Sequence, residues 1–180
     1  MDKFELVDRT NMNVVTEELV IKKSKFIAKV YHINSKEQAE EIIANARVEY
    51  KDARHVVYAY TLKAFGKFTD DKEPQGTAGK PIYSLLEKER VINTLIIVIR
   101  YFGGILLGAG PLTRAYSTVA KEALAKCEKK KYIEYTEEKI ECEYKEEEQL
   151  IRKLKQQNCI IQSVVRTDKV QIKYLKPKNN

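Results

Sequence analysis

Two segments concentrate the residues best suited to chemistry. The first runs Arg100-Tyr101-Phe102-Gly103-Gly104-Ile105-Leu106-Leu107-Gly108-Ala109-Gly110-Pro111-Leu112-Thr113-Arg114 and holds four of the chain's seven glycines. Glycine lets backbone approach a ligand closely and adopt positive φ. The segment lies between a predicted strand and a predicted helix, so unpaired N–H groups at the helix start would favour an anion. Arg100 and Arg114 flank it, and Lys80 adds a third cation that could contact phosphate. The expected anion- or RNA-binding set is therefore Arg100, Gly103, Gly104, Gly108, Gly110, Arg114 and Lys80. A tight turn whose glycines merely allow close packing is the alternative.

The second segment is Thr69-Asp70-Asp71-Lys72-Glu73-Pro74-Gln75-Gly76-Thr77-Ala78-Gly79-Lys80. Asp70, Asp71 and Glu73 could hold magnesium or move protons. They could equally form a solvated turn, with Asp and Pro in ordinary turn roles. A bridging role is also open, in which Asp71 or Glu73 pairs with Arg100 or Arg114 and fixes both loops. Asp70, Asp71, Glu73 and Thr77 are thus candidate loop partners of the glycine-rich segment.

Neither segment is a nucleotide motif. Gly108-Ala109-Gly110-Pro111-Leu112-Thr113 has Thr113 where the dinucleotide fingerprint needs its third glycine. Gly76-Thr77-Ala78-Gly79-Lys80-Pro81 ends its glycine run like a Walker loop, but the spacing is short and Pro81 stands in place of Ser or Thr. Neither Gly-x-Ser-x-Gly nor His-Glu-x-x-His occurs. His32 and His55 are the two histidines; His55 opens a strand beside Asp52 and Arg54 and reads as a packed or surface residue more readily than as a base. No residue earns a catalytic assignment, and no metal or cofactor is expected. Lys22, Lys23, Lys25 and Lys29, interleaved with Phe26 and Tyr31, could bind nucleic acid by charge and stacking or simply form a solvated strand face.

These segments need elements to position them. Glu18 to Ile33 reads as two strands with a bend at Ser24-Lys25, and the period of 2 is clear from Phe26 onward. Ser35 and Gln38 match a capping box for a helix to about Glu49, with Ala39, Ile42, Ile43 and Ala46 inside. His55 to Ala64 reads as a strand and Gly66 to Gly79 as a polar loop. A short helix spans Lys80 to Glu89. Leu95 to Tyr101, apolar on both faces, predicts a buried central strand. Pro111 to Cys127 predicts a helix with Leu112, Ala115, Tyr116, Val119, Ala123 and Leu124 on one face. Lys129-Lys130-Lys131 reads as a linker, after which strand, helix, strand and strand follow, with a frayed tail from Lys176.

The bulk numbers bound what this can be. The 180 residues, 43% hydrophobic, suit one domain plus a smaller one and exclude global disorder. No apolar run approaches the roughly 18–20 residues of a membrane span, and the start Met1-Asp2-Lys3-Phe4-Glu5 lacks the order of a secretory signal. A cytoplasmic protein without membrane contact is expected. Cys127, Cys142 and Cys159 are odd in number and widely spaced, which argues for reduced thiols rather than disulfides or structural zinc. The net charge is +7, and all but one of those charges fall within residues 1–131, which favours an anionic partner there.

The ordered blocks resemble the YigZ/IMPACT family. They are Ser24-Lys25-Phe26-Ile27-Ala28, then Asp52-Ala53-Arg54-His55 with Tyr58-Ala59-Tyr60, then Asp70 through Pro81, then Arg100-Tyr101-Phe102-Gly103-Gly104 with Leu112-Thr113-Arg114-Ala115-Tyr116. The resemblance implies an α+β protein of two domains. Residues 1–131 would take the fold of the second domain of ribosomal protein S5, and residues 132–180 would be ferredoxin-like but short, without room for a second helix and fourth strand. It also implies a non-enzymatic RNA- or ribosome-associated protein, with translation regulation as the role of eukaryotic relatives. The family usually has Gly at Lys72, Ser at Gln75, Lys at Leu106 and Gly at Pro111. Two other function classes stay open: a small enzyme acting on an anionic, phosphorylated metabolite, and a protein–protein interaction module.

Overall fold

The computed structural model describes residues 2–6 and 15–178. The chain divides into two compact units, Met1–Tyr132 and Ile133–Asn180.

The first unit is organised by one strand. β7 (Thr94–Tyr101) is buried along its whole length except at Tyr101, because helices cover both faces of its sheet. β7 sits in the middle of five strands: β2 (Val15–Ile21), β3 (Ser24–His32), β7, β4 (His55–Thr61) and β5 (Gly66–Thr69), all paired antiparallel. Side-chain alternation splits its apolar residues between two layers. Ile96 and Val98 pack with Phe26, Ala28, Val57 and Ala59 under α2 (Gly79–Lys88) and α3 (Ala109–Ala125). Leu95, Ile97 and Ile99 pack with Val56, Tyr58 and Tyr60 under α1 (Lys36–Glu49). Each such buried aliphatic contributes about 1.5–3 kcal/mol, so both helical layers are anchored through this strand.

Local signals set most ends. Ser35 Oγ caps α1 by accepting from the Gln38 N–H at 3.2 Å. The Gln38 side chain answers by accepting from the Asn34 N–H at 2.7 Å, one residue upstream of the reciprocal bond a capping box makes. Ala39, Ile43 and Ala46 are buried, while Ile42 is half-buried at the rim. α3 starts two residues earlier than expected, with Gly108 as its N-cap at φ 79°. Pro111 falls within the first turn, where a missing N–H leaves no hydrogen bond unmade.

Four expectations are corrected. The bend is not at Ser24-Lys25 but at Lys22-Lys23, both with positive φ (46° and 66°). Two positive-φ residues make the tight turn whose twist suits a hairpin, and lysines in place of Asn-Gly concealed it. The strand from His55 ends at Thr61, and the supposed loop opens with β5, an edge strand paired to β4. A Cβ at Gly66 would collide with the Tyr83 ring and the Tyr60 carbonyl. The lysine run is not a linker. It forms β8 (Lys129–Lys131), antiparallel to β1 (Phe4–Leu6), in a small sheet completed by β6 (Val91–Ile92). Its lysines pair with Glu89, Glu5 and Asp2, partners far away in sequence. Finally, Lys176 and Pro177 belong to the last strand rather than a frayed tail, and the Lys178 N–H donates to the Glu134 carbonyl at 2.8 Å; Asn179 and Asn180 lie outside the described residues.

The second unit follows the expected order: β9 (Tyr135–Cys142), α4 (Glu147–Gln156), β10 (Ile160–Arg166) and β11 (Val170–Pro177). Its antiparallel sheet has the order β10-β11-β9, with Leu154 and Cys159 packed on Val170, Ile172 and Tyr174. Cys127, Cys142 and Cys159 are free thiols. No helix among the described residues is long and apolar enough to cross a membrane.

A Cβ at Gly79 would strike the Thr69 carbonyl, and backbone cannot yield as a side chain tip can. Gly79→Ala should therefore cost about 1–3 kcal/mol of stability, read as a lowered midpoint in urea unfolding. An unchanged midpoint would mean that α2 does not start against β5 as described.

Candidate functional site

β3 and β4 begin, and β7 ends, at the same end of the sheet. The Lys22-Lys23 turn, the residues before His55 and the glycine-rich loop therefore converge there. Register places Phe26, Arg100 and His55 side by side in one row across β3, β7 and β4. Arg100 shares parity with Ile96 and Val98, so the row faces the α2/α3 layer.

Glu73 closes over that row. It lies in the loop after β5 with its side chain only 4% exposed. Oε1 accepts from Arg100 at 2.6 Å and from the Tyr116 hydroxyl of α3 at 2.8 Å, and His55 Nε2 lies 3.6 Å away. The other His55 nitrogen, Nδ1, is 2.7 Å from the Asp71 carbonyl. A carbonyl only accepts, so Nδ1 carries the hydrogen. Burial, and then the Glu73 carboxylate beside it, push the Tyr116 hydroxyl above the usual tyrosine range.

The neighbouring acids are committed to their own loop. Asp70 accepts from the Gly76, Ala78 and Gly79 N–H groups at 2.8, 3.1 and 2.8 Å. Asp71 accepts from the Val56 N–H at 2.6 Å and faces Arg47 at 3.8 Å. Thr77 donates to the Pro74 carbonyl at 2.6 Å. Asp71 and Lys72 both have positive φ (42° and 67°), which explains why glycine would suit position 72. Among the described residues no three His, Cys, Asp or Glu side chains are grouped to hold a metal ion.

The structure brings the two segments together, through Glu73 with Arg100 and Tyr116. It does not treat their cations alike. Arg100 is only 5% exposed, with Phe26 and Phe102 rings 5.5 and 5.7 Å from its guanidinium. Its Nε is buried without a hydrogen-bond partner. Arg100 is therefore an inner strut rather than an open phosphate contact. Arg114 and Lys80 are exposed, and the Lys80 stem passes 3.8 Å from where a Gly76 Cβ would sit. Gly103 is a packing glycine: its N–H donates to Ser24 Oγ at 3.1 Å, and a Cβ would strike the Lys23 backbone. Gly104 and Gly108 have positive φ and face open space, and Gly110 adjoins the Arg114 side chain. His55 opens its strand and Tyr116 lies on the buried face of its helix as the sequence implies, but their meeting at Glu73 was not foreseen; the one available signal was a tyrosine on an apolar helix face, whose hydroxyl needs a partner when buried.

What remains outward is mainly positive, with Asp52, which accepts from the Tyr101 hydroxyl at 3.2 Å, as an exposed carboxylate beside it. Lys22, Lys23, Arg54, Lys72, Lys80 and Arg114 are all exposed at this end. None of them has an ion-pair partner among the described residues. Arg54 lies over the Phe102 ring at 5.4 Å. α2 and α3 both start here, with no acidic residue in either first turn, so their dipoles add to the positive field.

The sequence model of the Impact N-terminal domain matches residues 22–124. The chain belongs to the IMPACT family. Its bacterial relatives include IMPACT family member YigZ of Escherichia coli, 38% identical over 144 residues, covering 77% of this chain and 69% of that protein. IMPACT family member YvyE of Bacillus subtilis is 41% identical over 110 residues, covering 59% of this chain and 51% of that protein. A crystal structure of a hypothetical protein is similar at 31% identity with a TM-score of 0.71, covering 98% of this chain and 85% of that one. The IMPACT match encloses His55, Glu73, Arg100, Tyr116 and all six outward cations, and it stops before the second unit. The mixed α+β architecture with several sheets is thus a property shared with a solved relative.

Removing one partner of a buried ion pair strands the other. Arg100→Met should destabilise by about 3–5 kcal/mol, and Glu73→Leu in the same chain should restore part of the loss. Urea unfolding of the three variants checks this. Additive losses would mean that the pair is not coupled.

Proposed function

We propose that this IMPACT-family chain is a non-enzymatic, cytoplasmic RNA- or ribosome-associated protein that takes part in translation regulation. The observation that supports it is the division of charge at one end of the sheet. The acids of the Asp70–Glu73 loop are consumed by amides, Arg47 and Arg100. The cations Lys22, Lys23, Arg54, Lys72, Lys80 and Arg114 face outward beside two helix starts. Such a surface attracts a polyanion by charge and by oriented N–H groups. Arg114 and Lys80 make the phosphate contacts in this reading. Gly104, Gly108 and Gly110 permit backbone approach. Arg100 and Gly103 hold the loop in place from within.

The same inward commitment counts against an enzyme built on the acidic loop. Asp70 and Glu73 already accept from five donors between them, which leaves little capacity to bind a metal or trade protons. We assign the S5-like and short ferredoxin-like folds to the first and second units on family resemblance, with the binding surface wholly in the first.

Phosphate contacts release counterions, so affinity should fall with salt by roughly 0.7–0.9 log units per contact for each log unit of salt. Lys80→Glu with Arg114→Glu should weaken binding to RNA oligomers several-fold and flatten that slope by about 1.4–1.8. Fluorescence anisotropy across a salt series measures both. Full-strength binding by the double variant would overturn the assignment.

A further inference from the structure

The tip of the glycine-rich loop is apolar in the middle of a basic surface. Leu106 is 83% exposed, Ile105 43% and Phe102 37%. Leu107, one residue on, is buried in the core beneath α3. The tip is thus a short peak with a fixed base. Gly104 and Gly108 bound it at positive φ, and a Cβ at either would meet nothing within 4 Å. At its foot, Gly103 is bonded to Ser24 and Arg100 is clamped by Glu73. A leucine this exposed on an anchored loop is costly to leave in water.

We infer that Leu106 is a wedge that enters an unstacked base step of RNA while Lys80 and Arg114 hold the flanking phosphates. This rests on the RNA-binding reading and names its substrate class: paired RNA interrupted by a bulge or mismatch, where a base step is already open. Aliphatic side chains between base steps partially unstack them, at a cost repaid by phosphate contacts on either side. An interrupted helix lowers that cost, and cations around the wedge supply the contacts.

Other occupants fit less well. A stable protein interface needs a broader apolar centre than one leucine with two half-exposed neighbours. A membrane surface needs several side chains free to sink below the headgroups. Phe102 is not free, since the guanidinium groups of Arg54 and Arg100 lie 5.4 and 5.7 Å from its ring.

The test compares an RNA hairpin carrying one bulged nucleotide with a fully paired hairpin of equal length. 2-Aminopurine beside the bulge reports unstacking. Wild-type protein should prefer the bulged hairpin about tenfold, a fraction of the few kcal/mol that unstacking a closed base step costs, and raise the 2-aminopurine signal. Leu106→Asn should abolish both the preference and the signal while the salt slope on the paired hairpin stays unchanged. Leu106→Phe should keep the preference. If wild type binds both hairpins equally, or Leu106→Asn retains the preference, the wedge is wrong while RNA binding stands. If neither hairpin binds, both readings fail together. Leu106-dependent binding to vesicles rich in anionic lipid, without a bulge preference, would also overturn the wedge.

Discussion

The Glu73 carboxylate joins three segments that no local interaction could hold together. Through one oxygen it takes hydrogen bonds from Arg100 on the central strand and Tyr116 on α3. Its own loop leads directly from β5 into α2. Burying such a pair gains little net stability over apolar residues of the same size. What it supplies is position, because a charged pair tolerates few geometries where aliphatic side chains tolerate many. Losing either partner leaves a charge that the core cannot solvate. The loop into α2, the body of α3 and the end of β7 are therefore set relative to one another by a polar contact set into an apolar core.

That contact also decides the sign of the surface. The loop from Asp70 to Glu73 carries three carboxylates close to the proposed binding end. Each is committed to a partner: Asp70 to the amides at the start of α2, Asp71 to β4 and Arg47, Glu73 to Arg100. Lys72, between them, points out. A segment that looks acidic in the sequence thus presents a cation. Removing Arg100 from the surface costs one positive charge, but it neutralises one negative charge that would have repelled a polyanion. The outward field is then set by cations without ion-pair partners among the described residues, to which the two helix starts contribute.

Periodicity made the apolar frame legible. β7 declared itself by being apolar on both faces, α3 by its stripe from Leu112 to Leu124, and α1 by Ser35 and its small buried residues. Pairing across long distances was not legible. β8 is three consecutive lysines, which no propensity places in a strand; its partner β1 is more than a hundred residues away. The hairpin at Lys22-Lys23 was concealed because lysine is a rare choice for positive φ. In the site, pairing of the acidic loop with Arg100 or Arg114 was one of several open options. Only the fold selects Glu73 with Arg100, since register brings Phe26, Arg100 and His55 into one row. The first segment's arginines looked equivalent by type. They differ because one lies on a strand facing a helix layer and the other on the exposed side of α3.

The departures from the family's usual residues acquire distinct meanings in this frame. Lys72 occupies a positive-φ position that glycine would fill without strain, and it adds a cation to the surface in exchange. Pro111 lies in the first turn of α3, where the backbone N–H groups have no helical partner to lose, so it removes one donor from the anion-facing end and nothing from the helix. Leu106 is different, because it stands where the family usually carries a lysine and yet is the most exposed large apolar side chain described. A lysine there would add one more contact of the kind that Lys80 and Arg114 already provide. A leucine cannot contact phosphate at all. If the surface served only to gather charge, the exchange would be a plain loss in both affinity and solubility. It becomes intelligible when the loop's base is considered: Leu107 in the core, Gly103 against Ser24 and Arg100 against Glu73 fix the points from which the tip projects. An anchored base is wasted on a charge that acts at a distance, but it is what an apolar group needs in order to enter a narrow gap.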